Sequence, residues 1–155
     1  MTLRRKLEGE AEIRATAADV LYDIIKCQLY HIPHAASDFI QSVDLLEGDH
    51  GKIGSKSVWN YTLGGKPYVI KSVLEEIDEE KKYVKYRGIE GDLMKEYKSI
   101  TGACHVIPKD NETCIAKWIF EYEKLHPRIR EPTALLESWI EAFKNIDEHY
   151  HGINK

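Results

Sequence analysis

Apolar and polar residues alternate along most of the first 125 positions, which is the pattern of β-strands with one buried face. Turn residues interrupt this alternation at regular intervals, as expected for strands that follow one another in an antiparallel sheet. The predicted strands are 6–14, 39–46, 57–63, 68–77, 83–89, 98–107 and 114–124. The spacing of strands and turns therefore predicts a single wide antiparallel sheet.

The segment between the first two strands has helical rather than strand periodicity. Thr16 is predicted to cap a short helix. The apolar face of this helix is predicted to carry Val20, Leu21, Ile24 and Ile25. Pro33 prevents a long continuation, so a second short helix or a turn is expected after it.

A long helix is predicted over 133–148, because Pro132 stands where a first-turn proline belongs and apolar residues then recur at helical spacing. Those residues are Leu135, Leu136, Trp139, Ile140, Phe143 and Ile146. The chain contains no internal repeat and no linker, so residues 1–155 are predicted to form one domain. The element order predicts an α+β fold.

The last predicted hairpin indicates what lies inside the sheet. Pairing across the turn at 108–111 places the even-numbered residues of both strands on one face. That face carries Ile100, Gly102, Cys104, Val106, Cys114, Ala116, Trp118, Phe120 and Tyr122. Small residues beside large rings either leave a hollow or pack as an ordinary core, and the pattern alone leaves both interpretations open.

Composition narrows the class of function. The net charge of −4 offers no basic track for phosphates, which argues against nucleic-acid binding and an RNase role. No apolar run is long enough for a membrane span or a secretory signal, so a cytoplasmic protein without a membrane partner is expected. Cys27, Cys104 and Cys114 are scattered and suggest neither a disulfide framework nor a zinc site.

Motifs for catalysis or metal binding are weak. The glycines at 48, 51 and 54 lack the spacing of a dinucleotide or phosphate loop and are interpreted as a hairpin connection. His31 and His34 flank Pro33, which prevents a regular helical metal pair, so no metal site is predicted. Lys71 and Tyr86 lie within strands, and either side chain could transfer protons if it faces a cavity. The alternative for Lys71 is that it points to solvent.

Several segments together resemble the plant major latex protein family, which belongs to the superfamily of the birch pollen allergen and the class-10 pathogenesis-related proteins. The segments are VDLLEGD at 43–49, GKIGS at 51–55, WNY at 59–61, IEGDLMKEYK at 89–98 and FEYEK at 120–124. The resemblance covers essentially the whole chain, and its order of elements equals the order derived above.

This resemblance implies the helix-grip (START-like) fold, in which a curved seven-stranded antiparallel sheet wraps around a long C-terminal helix and two short helices follow the first strand. It also implies a large apolar cavity that binds hydrophobic plant metabolites, and it favours the hollow interpretation. The related norcoclaurine synthases use a Tyr, a Glu and a Lys that align near Ile70, Ser72 and Val84, so their chemistry is not expected here.

The expected function is to bind a small hydrophobic metabolite and to assist cyclisation or isomerisation of a reactive intermediate in iridoid monoterpene or alkaloid metabolism. Such an enzyme would need no cofactor and would act by positioning its substrate. The alternatives are a non-catalytic carrier, storage or defence-response protein, and a hormone-type regulator. The regulator would dock an unknown protein partner through rim loops at 48–55 and at Gly64 and Gly65.

The candidate site residues follow from the predicted inner faces. The cavity wall is predicted to comprise Trp59, Tyr61, Val84, Tyr86, Ile100, Cys104, Trp118, Phe120, Leu136, Trp139, Ile140 and Phe143. Leu29, Tyr30 and His31 are expected at an entrance. Tyr86, Lys71 and His31 are the candidate acid–base residues, in that order.

Overall fold

The computed structural model describes residues 4–110 and 113–153, with side chains as far as residue 150. Within this part of the chain the strands are β1 (Arg4–Ile13), β2 (Ile40–Glu47), β3 (Lys56–Leu63), β4 (Lys66–Asp78), β5 (Tyr83–Gly91), β6 (Tyr97–Pro108) and β7 (Cys114–Lys124). The helices are α1 (Ala18–Lys26), α2 (His31–Ala35) and α3 (Thr133–Ile153), with a 3₁₀ turn at Asp92–Lys95 between β5 and β6.

The strands form one curved antiparallel sheet in the order β1-β7-β6-β5-β4-β3-β2, and α3 packs against β1, β3 and β7. This confirms the predicted helix-grip fold. Strand bounds agree with the predicted ones to within two residues, while α3 extends beyond the predicted helix to Ile153. Among the described helices, none has the length and apolar content that a membrane crossing requires.

The predicted register of the last hairpin is also confirmed. Ile100 pairs with Tyr122, Cys104 with Trp118, and Pro108 with Cys114, so the even-numbered residues of β6 and β7 share the inner face. Asn111, part of the predicted turn, lies outside the described residues. The paired inner face places the large rings of β7 directly opposite small residues of β6.

The start of α1 differs from the prediction. Ala17, rather than Thr16, occupies the N-cap position and makes no side-chain capping bond. Thr16 is buried, and its hydroxyl donates to Oδ1 of Asp147 on α3 at 2.9 Å. Val20 was predicted on the apolar face but is 40% exposed, whereas Tyr22 is buried. The buried face of α1 is therefore rotated relative to the predicted one.

The glycine-spaced loop between β2 and β3 is a connection, as predicted. Gly48, Gly51 and Gly54 all have positive φ angles, which glycine adopts without steric cost. A Cβ atom on Gly51 would lie 2.8 Å from Cβ of Cys27, so the loop packs closely on the residue that ends α1.

Asp147 fixes the C-terminal half of α3 to the segment between β1 and α1. Its Oδ1 accepts hydrogen bonds from the backbone amides of Ala15 and Thr16 at 2.9 Å, and its Oδ2 accepts one from the amide of Arg14 at 2.8 Å. With the Thr16 hydroxyl, one carboxylate thus satisfies four donors in a turn that has few backbone partners of its own.

Candidate functional site

A cavity of about 70 Å³ lies between the inner face of the sheet and the N-terminal half of α3. Its wall is almost entirely apolar and comes from β3 to β7, the start of α3, the start of β2 and the 3₁₀ turn. The lining residues are Phe39, Ile40, Trp59, Tyr61, Ile70, Ser72, Tyr86, Gly88, Leu93, Ile100, Gly102, Trp118, Phe120, Leu135 and Trp139.

Three tryptophans contact one another between the sheet and α3. Trp118 of β7 and Trp139 of α3 are stacked, with ring centroids 4.0 Å apart and planes inclined by 9°. Trp59 of β3 meets Trp139 edge-on at 5.8 Å. Their contact across the interior accounts for the small volume of the cavity.

Gly102 allows Trp118 to lie flat on the sheet. A Cβ atom at Gly102 would come within 2.7 Å of Cζ2 and 3.3 Å of Nε1 of Trp118. The space left by the missing side chain is therefore occupied by the indole of Trp118. The hollow that small residues on this face predicted is largely filled by the neighbouring ring, and what remains is the 70 Å³ cavity.

Two polar side chains on the wall are engaged in structural hydrogen bonds. Nε1 of Trp59 donates to Oγ of Ser72 at 2.9 Å. The hydroxyl of Tyr86 donates to the carbonyl of Ile25 at 2.6 Å and ties β5 to the end of α1. These bonds hold the strands in place and engage the N–H of Trp59 and the O–H of Tyr86, so neither proton is free for a ligand. The hydroxyl of Ser72 accepts in this arrangement and keeps its own proton.

The phenols on the cavity wall remain neutral at physiological pH. Burial raises the pKa of Tyr61 and of Tyr86 well above the ordinary value. Tyr61 is further stacked on Tyr68, with centroids 5.5 Å apart. A neutral, rigid wall of this kind is suited to an uncharged, apolar molecule.

The three candidate acid–base residues do not form one site. Lys71 lies on the outer face of β4 and pairs with Glu90 at 2.7 Å, so its ammonium points to solvent. His31, on α2, contacts the rings of Tyr30 and Tyr150 and does not line the cavity; burial, with smaller contributions from two other histidines, lowers its pKa. Of the three, Tyr86 alone borders the cavity, and its proton is held by Ile25.

Some residues of the predicted wall line the cavity, and the others lie elsewhere in the core. Trp59, Tyr61, Tyr86, Ile100, Trp118, Phe120 and Trp139 line the cavity. Val84, Cys104, Leu136, Ile140 and Phe143 belong to the same core but do not line it. The predicted entrance residues differ from each other, since Leu29 is buried and Tyr30 is 56% exposed, and neither borders the cavity.

Cys104 illustrates why part of the predicted wall lies elsewhere. It pairs with Val84 across β5 and β6, at the end of the sheet against which α1 packs. Burial raises the pKa of its thiol, which keeps the sulfur protonated. Helix α1 covers this part of the interior, so the cavity is confined to the other part.

Several lining residues were not predicted. Ile70, Ser72 and Gly88 follow from the alternation of β4 and β5 once Tyr86 is assigned to the inner face, so a signal for them existed. Leu135 belongs to the predicted apolar face of the long helix, so a signal existed for it as well. Phe39 and Leu93 lie outside the strands, where alternation carries no information about direction. Leu93 lies on the 3₁₀ turn, which the sequence pattern did not indicate.

A second, more polar cleft of about 430 Å³ lies on the surface beside the cavity. It is bordered by the β3–β4 hairpin at Gly64 and Gly65 and by α3 at Ser138 and Glu141. Phe39 borders both the cleft and the cavity, and its ring meets Trp139 edge-on at 5.4 Å. Phe39 is therefore the side chain that the cavity and this cleft have in common.

The described residues contain no group of three or more histidines, cysteines and carboxylates arranged to hold a metal ion. The lining itself provides hydroxyl, phenol and indole groups, none of which is a usual metal ligand at neutral pH. The chemistry that this wall supports is therefore the enclosure of an apolar molecule with one or two hydrogen bonds.

Comparison with known proteins agrees with this architecture. MLP-like protein 43 of Arabidopsis thaliana is 41% identical over 145 residues, which cover 93% of this chain and 91% of that protein. MLP-like protein 34 of the same plant is 42% identical over 144 residues, but the chain spans only 45% of its length.

The fold comparison gives the same result. The crystal structure of ginseng major latex-like protein 151 from Panax ginseng superimposes with a TM-score of 0.91 and 33% identity, covering 96% of this chain and 98% of that one. The family model described as the pathogenesis-related protein Bet v 1 family matches residues 2–151. The chain therefore belongs to the Bet v 1 family and is similar to its major latex protein-like members.

Proposed function

We propose that the protein binds a small hydrophobic molecule in the cavity between the sheet and the N-terminal half of α3. The observation that carries this proposal is an apolar cavity at the centre of the domain, walled by aromatic rings of β3, β7 and α3. A close-packed core has few voids larger than a water molecule, so unfilled space beside three large rings favours a binding role. Family membership supports it, since Bet v 1 family members bind hydrophobic ligands.

The cavity must enlarge to hold a metabolite. Pockets that enclose drug-sized ligands measure roughly 300–1,000 Å³, against about 70 Å³ here. The stack of Trp118 on Trp139 is the contact that a ligand would most readily replace, because ring stacking is worth only ~0.5–1.5 kcal/mol beyond area burial. A flat apolar molecule inserted between the two indoles would regain a similar contact on each face.

Access to the cavity is expected past Phe39. This residue borders both the cavity and the surface cleft, and it lies immediately before β2 rather than within a strand. Its contacts with Tyr61 and Trp139 are edge-on ring contacts at 6.2 and 5.4 Å. A change of its side-chain rotamer would join the two spaces.

Native mass spectrometry tests the proposal. The protein is incubated with a plant metabolite extract, desalted and measured before and after denaturation, and the released molecule is identified. We expect a one-to-one complex whose ligand is apolar. Leu93→Trp places a large ring at the half-buried edge of the cavity and is expected to abolish the complex.

The matched control is Val69→Trp, which adds the same ring at an exposed position of β4 outside the cavity. Val69→Trp is expected to retain the complex. The proposal fails if the extract yields no complex, or if both tryptophan variants retain it equally.

A second candidate function is catalysis by positioning, in which the cavity assists cyclisation or isomerisation of a reactive intermediate without a cofactor. The observation in its favour is that the titratable groups on the described wall are phenols kept neutral by burial, so confinement is the means that this wall offers. Holding a substrate in a productive conformer is worth up to several kcal/mol.

The test of this second function is the ratio of products formed from a reactive dialdehyde. We expect the protein to shift the ratio relative to buffer, and Leu93→Trp to restore the buffer ratio. A ratio identical to buffer with wild-type protein would assign the protein to the non-catalytic carriers for that class of substrate. The cytoplasm is the location in which we place either function, and cell fractionation tests it.

A further inference from the structure

The indole N–H of Trp118 is a buried donor that lacks a hydrogen-bond partner among the described residues. The side chain is 3% exposed, and its ring borders the cavity. A buried N–H without an acceptor is costly, and most buried polar atoms in folded proteins are paired. The unpaired donor is therefore a feature that requires an explanation.

Trp59 shows that the interior can satisfy such a group. It lines the same cavity, and its Nε1 donates to the hydroxyl of Ser72 on the neighbouring strand β4. No serine or threonine stands in the equivalent place for Trp118, because its cross-strand partner is Cys104 and its nearest neighbour on β6 is Gly102. The two tryptophans differ in whether the protein supplies the acceptor.

The free donor lies beside the cavity. Nε1 of Trp118 is 3.3 Å from the position that a Cβ atom at Gly102 would occupy, and Gly102 itself lines the cavity. Because Trp118 and Gly102 both line the cavity, a molecule bound there is a source of the missing acceptor. The lining contains no lysine, arginine or histidine, so a carboxylate would be buried there without a compensating cation.

We infer that the ligand is a neutral carbonyl compound whose oxygen accepts a hydrogen bond from Nε1 of Trp118. This inference rests on the proposed binding function and specifies its ligand class. The carbon skeleton occupies the apolar part of the cavity, and the single oxygen satisfies the donor that the protein leaves free. A pure hydrocarbon of the same shape would leave that donor unpaired, and a carboxylate would be disfavoured by desolvation.

The test compares three molecules with one bicyclic skeleton: indane, 1-indanone and indane-1-carboxylate. Dissociation constants are measured by calorimetry, and the indole N–H signals of ¹⁵N-labelled protein are followed by NMR. Because one hydrogen bond contributes about 1 kcal/mol, we expect 1-indanone to bind about three- to tenfold more tightly than indane. The carboxylate is expected to bind most weakly of the three.

Trp118→Phe is expected to abolish the preference for the ketone while still binding indane. The matched control is Trp59→Phe, which removes an indole of the same cavity whose N–H is already paired. It is expected to change the affinities for indane and 1-indanone together and so to keep their ratio. In wild-type protein the indole N–H signal that Trp118→Phe removes should move downfield with 1-indanone and not with indane. This shift provides a readout even if a variant folds poorly.

The possible results separate the two proposals. Equal affinities for indane and 1-indanone, or a ketone preference that survives Trp118→Phe, would overturn the inference and leave the binding function intact. Tightest binding of the carboxylate would also overturn it. Failure of all three molecules to bind would count against the binding function itself, and the inference would fall with it.

Discussion

The C-terminal half of α3 is held by directional hydrogen bonds, whereas its N-terminal half rests on aromatic rings beside unfilled space. Asp147 accepts four hydrogen bonds from residues 14–16, at 2.8 to 2.9 Å. At the other half, Trp139 meets Trp118, Trp59 and Phe39 through ring contacts alone. One helix therefore has a fixed half and an adaptable half.

This difference separates stability from ligand binding along one element. Hydrogen bonds weaken steeply when their geometry is changed, so a cluster of four restrains the helix to one position. Ring contacts are less directional, and a ligand ring can replace a protein ring at little cost. We expect substitutions near Asp147 to alter stability alone, and substitutions near Trp139 to alter ligand binding as well as stability.

The largest expected effect is that of Asp147→Ala. It leaves three backbone amides and a buried hydroxyl without their acceptor, and hydrogen bonds to charged groups are worth about 1.5–3 kcal/mol each when measured singly. We expect the free energy of unfolding to fall by about 3 kcal/mol in urea denaturation. Glu148→Ala, at the next and exposed position, should change it by less than about 0.5 kcal/mol. Equal effects of the two substitutions would show that the hydrogen bonds to Asp147 do not fix the C-terminal half of α3.

Gly102→Ala tests the adaptable half. The new methyl group would lie 2.7 Å from Cζ2 of Trp118, so the stack with Trp139 has to shift. Overpacking of this kind costs about 1–3 kcal/mol, which thermal unfolding would detect. Gly9→Ala is the control, because its methyl group would meet Ile140 at an ordinary 3.4 Å. A Gly102→Ala protein as stable as the control would show that the stack moves freely.

Phe39→Leu tests access to the adaptable half and has a smaller effect on stability. A shorter side chain between the cleft and the cavity should raise the association rate of 1-indanone by about tenfold in stopped-flow fluorescence. Phe120→Leu trims a ring that lines the cavity but not the cleft, and should leave the rate unchanged. An unchanged rate in Phe39→Leu would move the passage to the Leu93 edge of the cavity.

The smallest expected effect concerns the connection that leads into α3. Glu131 accepts a hydrogen bond from Nζ of Lys124 at 2.5 Å and another from the hydroxyl of Tyr122. Lys124, and then Tyr122, lower the pKa of Glu131 below its usual 4.5. The pKa of Glu131 is lower in the folded protein than in the unfolded chain. Its contribution to the free energy of unfolding is therefore present above about pH 4.5 and is lost as the pH falls through the pKa of the folded state.

Glu131→Gln should therefore lower the free energy of unfolding at pH 7 and lower it less at pH 3. The carboxylate is 40% exposed, so solvent screening limits the effect at pH 7 to under about 1 kcal/mol. Urea denaturation at both pH values measures it, with Glu137→Gln, an exposed carboxylate of α3, as the control. A loss that is the same at both pH values would rule out this charge-dependent contribution.

The sequence predicts the strand that faces α3 better than it predicts the contacts that hold the C-terminal half of this helix. Alternation gives β7 its observed bounds, Cys114–Lys124, and gives the β6–β7 pairing its register, because both depend on a period of two. The Asp147 cluster was not predicted, since Thr16 carries a local capping signal that a residue 131 positions away overrides. Local patterns predict elements well, but they contain no information about such distant partners.

The cavity shows the same limit. The alternation of large and small residues correctly places Trp118 opposite the small residues of β6. The size of the cavity, however, depends on how the indole of Trp118 lies over Gly102. Likewise, Tyr86 is correctly assigned to the inner face, but the carbonyl that holds its proton belongs to α1. The predicted acid–base role of Tyr86, Lys71 and His31 stays a prediction that these placements do not favour.

The stack of Trp118 on Trp139 has a consequence for spectroscopy. Two indoles 4.0 Å apart in nearly parallel planes couple their electronic transitions, which alters the circular dichroism of both rings. One ring belongs to the sheet and the other to α3, so this coupled signal reports the separation of helix and sheet without any label. A molecule that slides between the rings would weaken the coupling several-fold, whereas one that binds elsewhere would leave it unchanged.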